Sequence, residues 1–346
     1  MTWVRPLAAA GFADRLLVGG KAASLGDLAR AGLGVPAGFV VTAEAFGRVM
    51  TALDPSFALR GAVERLPACD VGAIARVAAS LRAVVAAAEL PDDLAAEITA
   101  GYLSLGADGD VPVAVRSSAT MEDSAEASFA GLQDSYLGVG GADGVLDAVR
   151  RCWASLYNDE SVGYRRRIGM PEHGIAMGVV VQRMVSPRAA GVMFTCSPVT
   201  GDRSVVAIEG TWGLGSALVA GDVSPDGFTV SKVTGEITGR RVGTKLRLHS
   251  FLPNGRGISD QPMPSELRGR PCLTDDQARA LADVARRVED HYGTPQDIEW
   301  ALLDDDRIVL LQSRPETVWA ARARSPVATP KPRASDHVLA LFGKTP

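Results

Sequence analysis

Residues 76–90 repeat apolar positions at helical spacing, which predicts one amphipathic helix. The positions that would share its buried face are Val77, Leu81, Val84 and Ala88. Residues 91–98 restart a helix, because a proline and two acids occupy the first turn. Residues 34–46 have the pattern of a strand that enters a helix capped by Thr42. The first third of the chain is therefore predicted to be mainly helical.

The second half is dominated by short runs of β-branched or alternating residues, bounded by Gly, Pro or Asp, and these predict strands. Together with one earlier run, the predicted strands are residues 111–118, 178–185, 190–195, 204–210, 227–233, 297–303 and 307–313. One helix interrupts them, since Thr274 and Gln277 form a capping box and Gly293 follows the apolar stripe. The pattern as a whole predicts an α+β fold.

The change from helical to strand patterning near Gly178 divides the chain into two lobes. We expect an N-terminal lobe of residues 1–177 and a C-terminal lobe of residues 178–316. Residues 317–346 carry prolines and small residues between basic ones, and they are predicted to be a linker or tail. A chain of 346 residues is long enough for this organisation.

The composition is that of a soluble globular protein, with 47% hydrophobic and 22% charged residues. No apolar run approaches the roughly 20 residues that span a bilayer, so we expect no membrane segment. Asp14 and Arg15 interrupt the start of the chain where a signal peptide would be apolar, and a cytoplasmic location is expected. The net charge of −4 leaves no basic stripe for nucleic acid, and the four cysteines have no metal-site or disulfide spacing.

Two stretches have the residues of a phosphate site. In 19-GGKAASLG-26 two glycines precede Lys21, and a helix is predicted to begin at about Ala22, although the stretch lacks the first glycine of a Walker A loop. Arg116 leaves a predicted strand and suits a bidentate phosphate contact, and Gly131 lies in a loop of small residues that would allow close approach to a nucleotide. The alternatives are a plain helix start and a structural ion pair.

The strands predicted at 297–303 and 307–313 carry polar residues at alternate positions. Asp297 and Glu299 would share one face, as would Gln312 and Arg314, and a hairpin across residues 304–307 would gather all four on one patch. Such a patch offers carboxylates to Mg²⁺ and an arginine to phosphate. The alternative is an exposed polar edge.

Taken in order, these motifs closely resemble the ATP-binding part of the phosphoenolpyruvate synthase family. They are GGKAASLG, VAVRSSATMEDSAEASFAG, VVVQRMV, AGVMFT, GLG, DIEWAL and LLQSRPET, and they cover residues from about 15 to 316. The sequence is also similar to pyruvate phosphate dikinase and rifampin phosphotransferase. The resemblance implies an ATP-grasp-like fold with ATP held between two lobes.

The resemblance also implies a role for each matching residue. Lys21 and Arg116 would bind the phosphates of ATP, and the loop that contains Gly131 would cover them. The adenine would be held by Gln182, Arg183 and Met184. Glu299 and Gln312 would bind Mg²⁺, and Arg314 would contact the phosphates near them. Arg116 and Arg314 would be the catalytic residues. Two positions depart from the family pattern: Leu132 stands where many relatives have a polar residue, and Ser216 stands where the pattern GLGE has glutamate.

In the family, the β-phosphate of ATP passes to a histidine on a swivelling domain, leaving AMP and phosphate. None of the histidines, His173, His249, His291 and His337, lies in a matching segment. We therefore expect a stand-alone ATP-binding subunit that phosphorylates a histidine on a separate partner protein. Two alternatives are the ATP-binding subunit of a phenylphosphate synthase-like enzyme that phosphorylates a hydroxyl compound, and a non-catalytic nucleotide-binding regulatory module.

Overall fold

A computed structural model describes residues 2–106, 110–120, 134–253 and 255–319. Its strands are β1 (Val4–Pro6), β2 (Gly38–Val41), β3 (Val113–Ala119), β4 (Ser135–Val139), β5 (Met177–Arg183), β6 (Ala189–Phe194), β7 (Val205–Trp212), β8 (Asp226–Ser231), β9 (Ile237–Arg241), β10 (Arg247–Phe251), β11 (Ile258–Pro262), β12 (Gln296–Leu302) and β13 (Ile308–Pro315). Its helices are α1 (Arg15–Val18), α2 (Gly20–Arg30), α3 (Ala43–Leu53), α4 (Ala58–Glu64), α5 (Val71–Ala86), α6 (Asp92–Leu103), α7 (Ala142–Ala154), α8 (Asp159–Arg167), α9 (Ser216–Val219), α10 (Ser265–Arg268) and α11 (Asp275–Tyr292). This mixture confirms the α+β class.

The first sheet has five antiparallel strands in the order β1-β2-β5-β3-β4. Successive residues of a strand point to opposite faces, and both faces of this sheet are covered. Val179 and Val181 pack into a core formed with the helices from α3 to α8, whereas Val180 packs with α1 and α2 on the other side. Burial on both faces explains the unbroken apolar run of β5.

The second sheet has six strands in the order β13-β12-β6-β7-β8-β9, and α11 packs on one face of it. The predicted capping box of α11 is confirmed: the Thr274 hydroxyl accepts from the Gln277 N–H, and the Gln277 side chain accepts from the Thr274 N–H. Gly293 ends the helix in the left-handed conformation. Leu28, from the end of α2, is buried in this second core, so α2 contacts the cores of both sheets.

The strand predicted at 178–185 belongs to the first sheet, because β5 pairs with β2 on one side and β3 on the other. The chain therefore changes sheets between Arg183 and Ala189, and not at Gly178. A continuous apolar run has the same pattern in either sheet, so the sequence did not distinguish them. The division into lobes at residues 177 and 178 stays a prediction.

The predicted elements are present, with shifted ends. Helix α2 begins at Gly20, two residues before the predicted start, and α5 covers residues 71–86, whereas the prediction was 76–90. Thr42 takes the N-cap position of α3, but its hydroxyl has no hydrogen-bond partner among the described residues. Within the described ranges, the helices are too short or too polar to cross a membrane.

Candidate functional site

A cavity of about 320 Å³ lies between the two sheets. Ala114 of β3 and Ala301 of β12 line it near the end of β5, where Gln182, Arg183 and Met184 also line it. Two residues further along the same strands, Arg116 and Glu299 line the opposite end. The cavity therefore has one largely apolar end and one charged end, as ligand sites commonly do.

Arg116 connects the two sheets at the charged end. One terminal nitrogen donates to the carbonyl oxygen of Leu311 at 2.7 Å. The other donates to Glu299 Oε2 at 2.7 Å and to Gln312 Oε1 at 3.0 Å. The Arg116 side chain keeps only 12% of its exposure and that of Glu299 keeps 26%. Among the described residues, Arg116 therefore forms an ion pair with a residue 183 positions away in the sequence.

The predicted hairpin of β12 and β13 is confirmed. Its register places Asp297 opposite Arg314 and Glu299 opposite Gln312. Arg314 Nε donates to Asp297 Oδ2 at 2.8 Å. Although β13 is the edge strand of its sheet, these side chains are half-buried or buried, and Glu299 and Gln312 contact Arg116 of the other sheet, so the patch is not a simple exposed edge.

The two carboxyl groups of this patch have opposite electrostatic settings. Burial disfavours the charged form of Glu299, but Arg116, Lys21 and Arg314 outweigh it and hold the pKa of that carboxyl below its usual value. Burial raises the pKa of Asp297 above its usual value, although Arg314 opposes this effect and Glu299 adds repulsion. Glu299 is therefore held as a carboxylate within a group of three cations, and such a group suits a polyphosphate.

Lys21 reaches this group through the turn between α1 and α2. Gly19 has φ +81°, and a Cβ there would lie 1.9 Å from the carbonyl oxygen of Ser118. The Ala22 N–H donates to Ser118 Oγ at 3.1 Å. Only glycine allows this approach, which fixes the start of α2 against the end of β3 and brings the charge of Lys21 within electrostatic range of Glu299.

The oxygens predicted to bind Mg²⁺ converge on one position. Glu299 Oε2 and Gln312 Oε1 accept from the same nitrogen of Arg116, so both point towards a single cationic group. Oxygen ligands of this kind fit Mg²⁺, which usually takes one or two carboxylates from the protein and completes its shell with phosphate and water. In the described part of the chain, no group of three or more His, Cys, Asp or Glu side chains is arranged to bind a metal.

The residues predicted to hold the adenine line the apolar end. Gln182 is buried and its amide donates to the carbonyl oxygen of Pro36 at 3.2 Å. Met184 Sδ accepts from the Gly138 N–H at 2.9 Å, while Arg183 is exposed at the cavity wall. Gly131 and Leu132 lie outside the described residues.

Sequence reasoning missed the hairpin of β10 and β11, which contacts both the cavity wall and the first sheet. At the middle of its strands, His249 Nδ1 lies 2.9 Å from the hydroxyl of Ser216, which lines the cavity. At its tip, Arg256 forms an ion pair with Asp110, and the Gly257 N–H donates to the carbonyl oxygen of Gly138 at 2.7 Å. These strands have little alternation of apolar and polar residues, so the sequence did not predict them. The one feature of the sequence that pointed to this region was Ser216, which stands where the family pattern has glutamate.

Comparison with known proteins shows which family and which relatives the chain is similar to. The family model described as pyruvate phosphate dikinase, AMP/ATP-binding domain, matches residues 15–335. A rifampicin phosphotransferase from Streptomyces sp is 47% identical over 336 residues, which is 96% of this chain and 37% of the relative. A probable phosphoenolpyruvate synthase from Methanothermobacter thermautotrophicus is 44% identical over 87% of this chain and 44% of the relative. The rifampicin phosphotransferase of Bacillus subtilis is 38% identical over 94% of this chain and 36% of the relative. The chain thus spans less than half the length of these relatives.

Proposed function

Because the chain belongs to the family of the pyruvate phosphate dikinase AMP/ATP-binding domain, we propose that it binds ATP between its two sheets and catalyses phosphoryl transfer from it. The observation that carries this proposal is the convergence of Arg116, Glu299 and Gln312 at the charged end of the cavity. These residues come from different sheets, so a ligand bound there would contact both. A ligand site between two sheets supports the ATP-grasp-like fold that we propose.

In the proposed complex, the adenine lies at the apolar end against Gln182, Arg183 and Met184. The triphosphate then points towards Lys21, Arg116 and Arg314. Phosphoryl transfer requires positioning and charge neutralisation more than covalent help from side chains, and three cations around one carboxylate supply both. The loop of Gly131 would cover the phosphates.

Glu299 and Gln312 would bind Mg²⁺, which would neutralise phosphate charge when bound. Arg116 donates hydrogen bonds to both of these oxygens. Arg116 would exchange them for phosphate oxygens, and Arg314, already held by Asp297, would stay oriented towards the same group. Arg116 and Arg314 are accordingly the proposed catalytic residues.

We propose that the acceptor is a histidine on a separate protein with a swivelling domain, which takes the β-phosphate and leaves AMP and phosphate. His249 is near the cavity, but its Nδ1 faces Ser216 and its Nε2 faces Asp222 and Asp260, so its ring is held within the protein. The names of the relatives give two final acceptors to test, rifampicin and pyruvate.

The proposal is tested with ATP labelled at either the β- or the γ-phosphorus. The chain is mixed with a histidine-bearing swivelling domain from a relative, and rifampicin or pyruvate is then added. We expect the β-label on the histidine and the γ-label in free phosphate. With the Glu299→Gln variant we expect neither of these labelled products. Transfer of the γ-label with release of ADP would contradict the dikinase mechanism, and nucleotide binding without transfer would favour the regulatory module.

A further inference from the structure

Ser216 lines the cavity, and its hydroxyl is held in one orientation. Its hydroxyl lies 2.9 Å from Nδ1 of His249, a side chain that keeps only 12% of its exposure. The backbone is held at the same place, since the Leu214 N–H donates to the His249 carbonyl oxygen at 2.9 Å. Gly213 has φ +73°, and a Cβ there would lie 2.6 Å from that oxygen, so the loop before Ser216 packs directly on β10.

The other side of the imidazole determines which way the Ser216 hydrogen bond runs. Nε2 of His249 faces Asp260 at 3.5 Å and Asp222 at 3.8 Å, and Asp260 is also paired with Arg247. Two carboxylates favour a proton on Nε2, so the neutral ring presents an unprotonated Nδ1. Ser216 then donates its hydrogen to Nδ1, and its oxygen lone pairs are left to accept a hydrogen bond from the cavity.

The position of Ser216 matches one part of a nucleotide. The wall around Ser216 is apolar, formed by residues such as Leu214 and Val219, and Gly215 packs against Ala190, which pairs with Ala301 two residues from Glu299. In a nucleoside triphosphate the sugar lies between the base and the phosphates. A hydroxyl that acts as an acceptor suits a sugar hydroxyl, which donates, and does not suit a phosphate oxygen, which cannot.

We propose that Ser216, positioned by His249, accepts a hydrogen bond from a ribose hydroxyl and so selects ribonucleotides over deoxyribonucleotides. This inference rests on the proposed ATP site and adds a specificity residue to it. A deoxynucleotide would leave the Ser216 oxygen facing a carbon-bound hydrogen. The loss of one neutral hydrogen bond corresponds to about a 3- to 10-fold weaker affinity.

The test measures dissociation constants for ATP, 2′-deoxyATP and 3′-deoxyATP in one buffer. The wild type should bind ATP about 3- to 10-fold more tightly than one of the two deoxy analogues, and Ser216→Ala should bind the pair equally. His249→Ala should lose most of the discrimination. His249→Asn should restore it, because the amide oxygen of asparagine takes the place of Nδ1 as an acceptor. Ser250→Ala, which changes the next residue of the same strand, is the control and should discriminate as the wild type does.

The readout separates recognition of ribose from a purely structural role. If the hydrogen bond between Ser216 and His249 only stabilises the loop, Ser216→Ala lowers the affinity for all three nucleotides alike and leaves the ratios of their dissociation constants unchanged. That result overturns the inference but leaves the ATP site in place. A wild type that binds all three nucleotides equally overturns it in the same way. A wild type that binds none of them overturns the proposed function as well.

Discussion

The contact between Arg116 and Glu299 should couple the two sheets energetically before any nucleotide binds. Glu299→Gln keeps the shape of the side chain and removes its charge, while Arg116→Gln removes the cation and all three of its hydrogen bonds. A charge-assisted hydrogen bond contributes about 1.5–3 kcal/mol. Because Glu299 keeps 26% exposure, solvent screening reduces the expected coupling between the two substitutions to about 1–2 kcal/mol.

The effect is large enough to measure by thermal unfolding. An unfolding entropy of about 2.1 cal/mol/K per residue over 346 residues gives about 0.7 kcal/mol/K, so a loss of 1–2 kcal/mol lowers Tm by about 1.5–3 °C. The experiment is a double-mutant cycle in calorimetry or denaturant unfolding. The control pair, Asp305 and Arg307, lies in the turn of the same hairpin, is mostly exposed, and should show no coupling. Equal coupling in both pairs would refute the reasoning.

Three further predictions concern titration, nucleotide release and backbone strain. Carboxyl NMR should give Glu299 a pKa below that of an ordinary glutamate and Asp297 a pKa above that of an ordinary aspartate. The ionised Glu299 side chain then contributes its full stabilisation above the pKa of glutamate in the unfolded chain, about 4.3, and this stabilisation is lost as the pH falls through the lower pKa of the folded protein. Protonation of Asp297 instead favours the folded state. Shifts in the reversed directions would contradict both expectations. Arg256→Ala removes an exposed ion pair with Asp110 at the hairpin tip, so stopped-flow with a fluorescent ATP analogue should show at most about twofold faster nucleotide release, and a larger effect would contradict this minor role. Gly19→Ala should lower the free energy of unfolding in urea by about 2–4 kcal/mol, because its Cβ would overlap the carbonyl of β3, and a neutral effect would show that the turn can relax.

The hairpin of β12 and β13 was predictable because its signals are local. Alternating polar residues fix which side chains share a face, and the turn residues between the strands fix the register. The exact pairs were not predictable, because a bulge between Glu299 and Trp300 shifts the register by one residue and so places Asp297 opposite Arg314. The contact of Arg116 with this hairpin spans 183 residues or more, and the residues alone gave no local pattern for it.

Other features were hidden because their patterns are ambiguous or weak. The run of β5 is buried on both faces, and such a run does not show which sheet it joins. Strands β10 and β11 form a two-stranded sheet with mixed exposure, so they lack the apolar alternation that marks a strand. Ser216 was visible only as a departure from a family pattern, and its partner His249 depends on how the hairpin folds back on the loop.

The most direct test of the ATP site is titration calorimetry of the protein with ATP and Mg²⁺. Arg116→Gln and Glu299→Gln are titrated beside the wild type, with Arg307→Gln as an exposed control on the same hairpin. We predict one site in the wild type and in the control, and at least about tenfold weaker binding in the other two variants, which each lose a charge-assisted contact. Equal affinity in all four proteins, or no binding by the wild type, would contradict a nucleotide site between the two sheets.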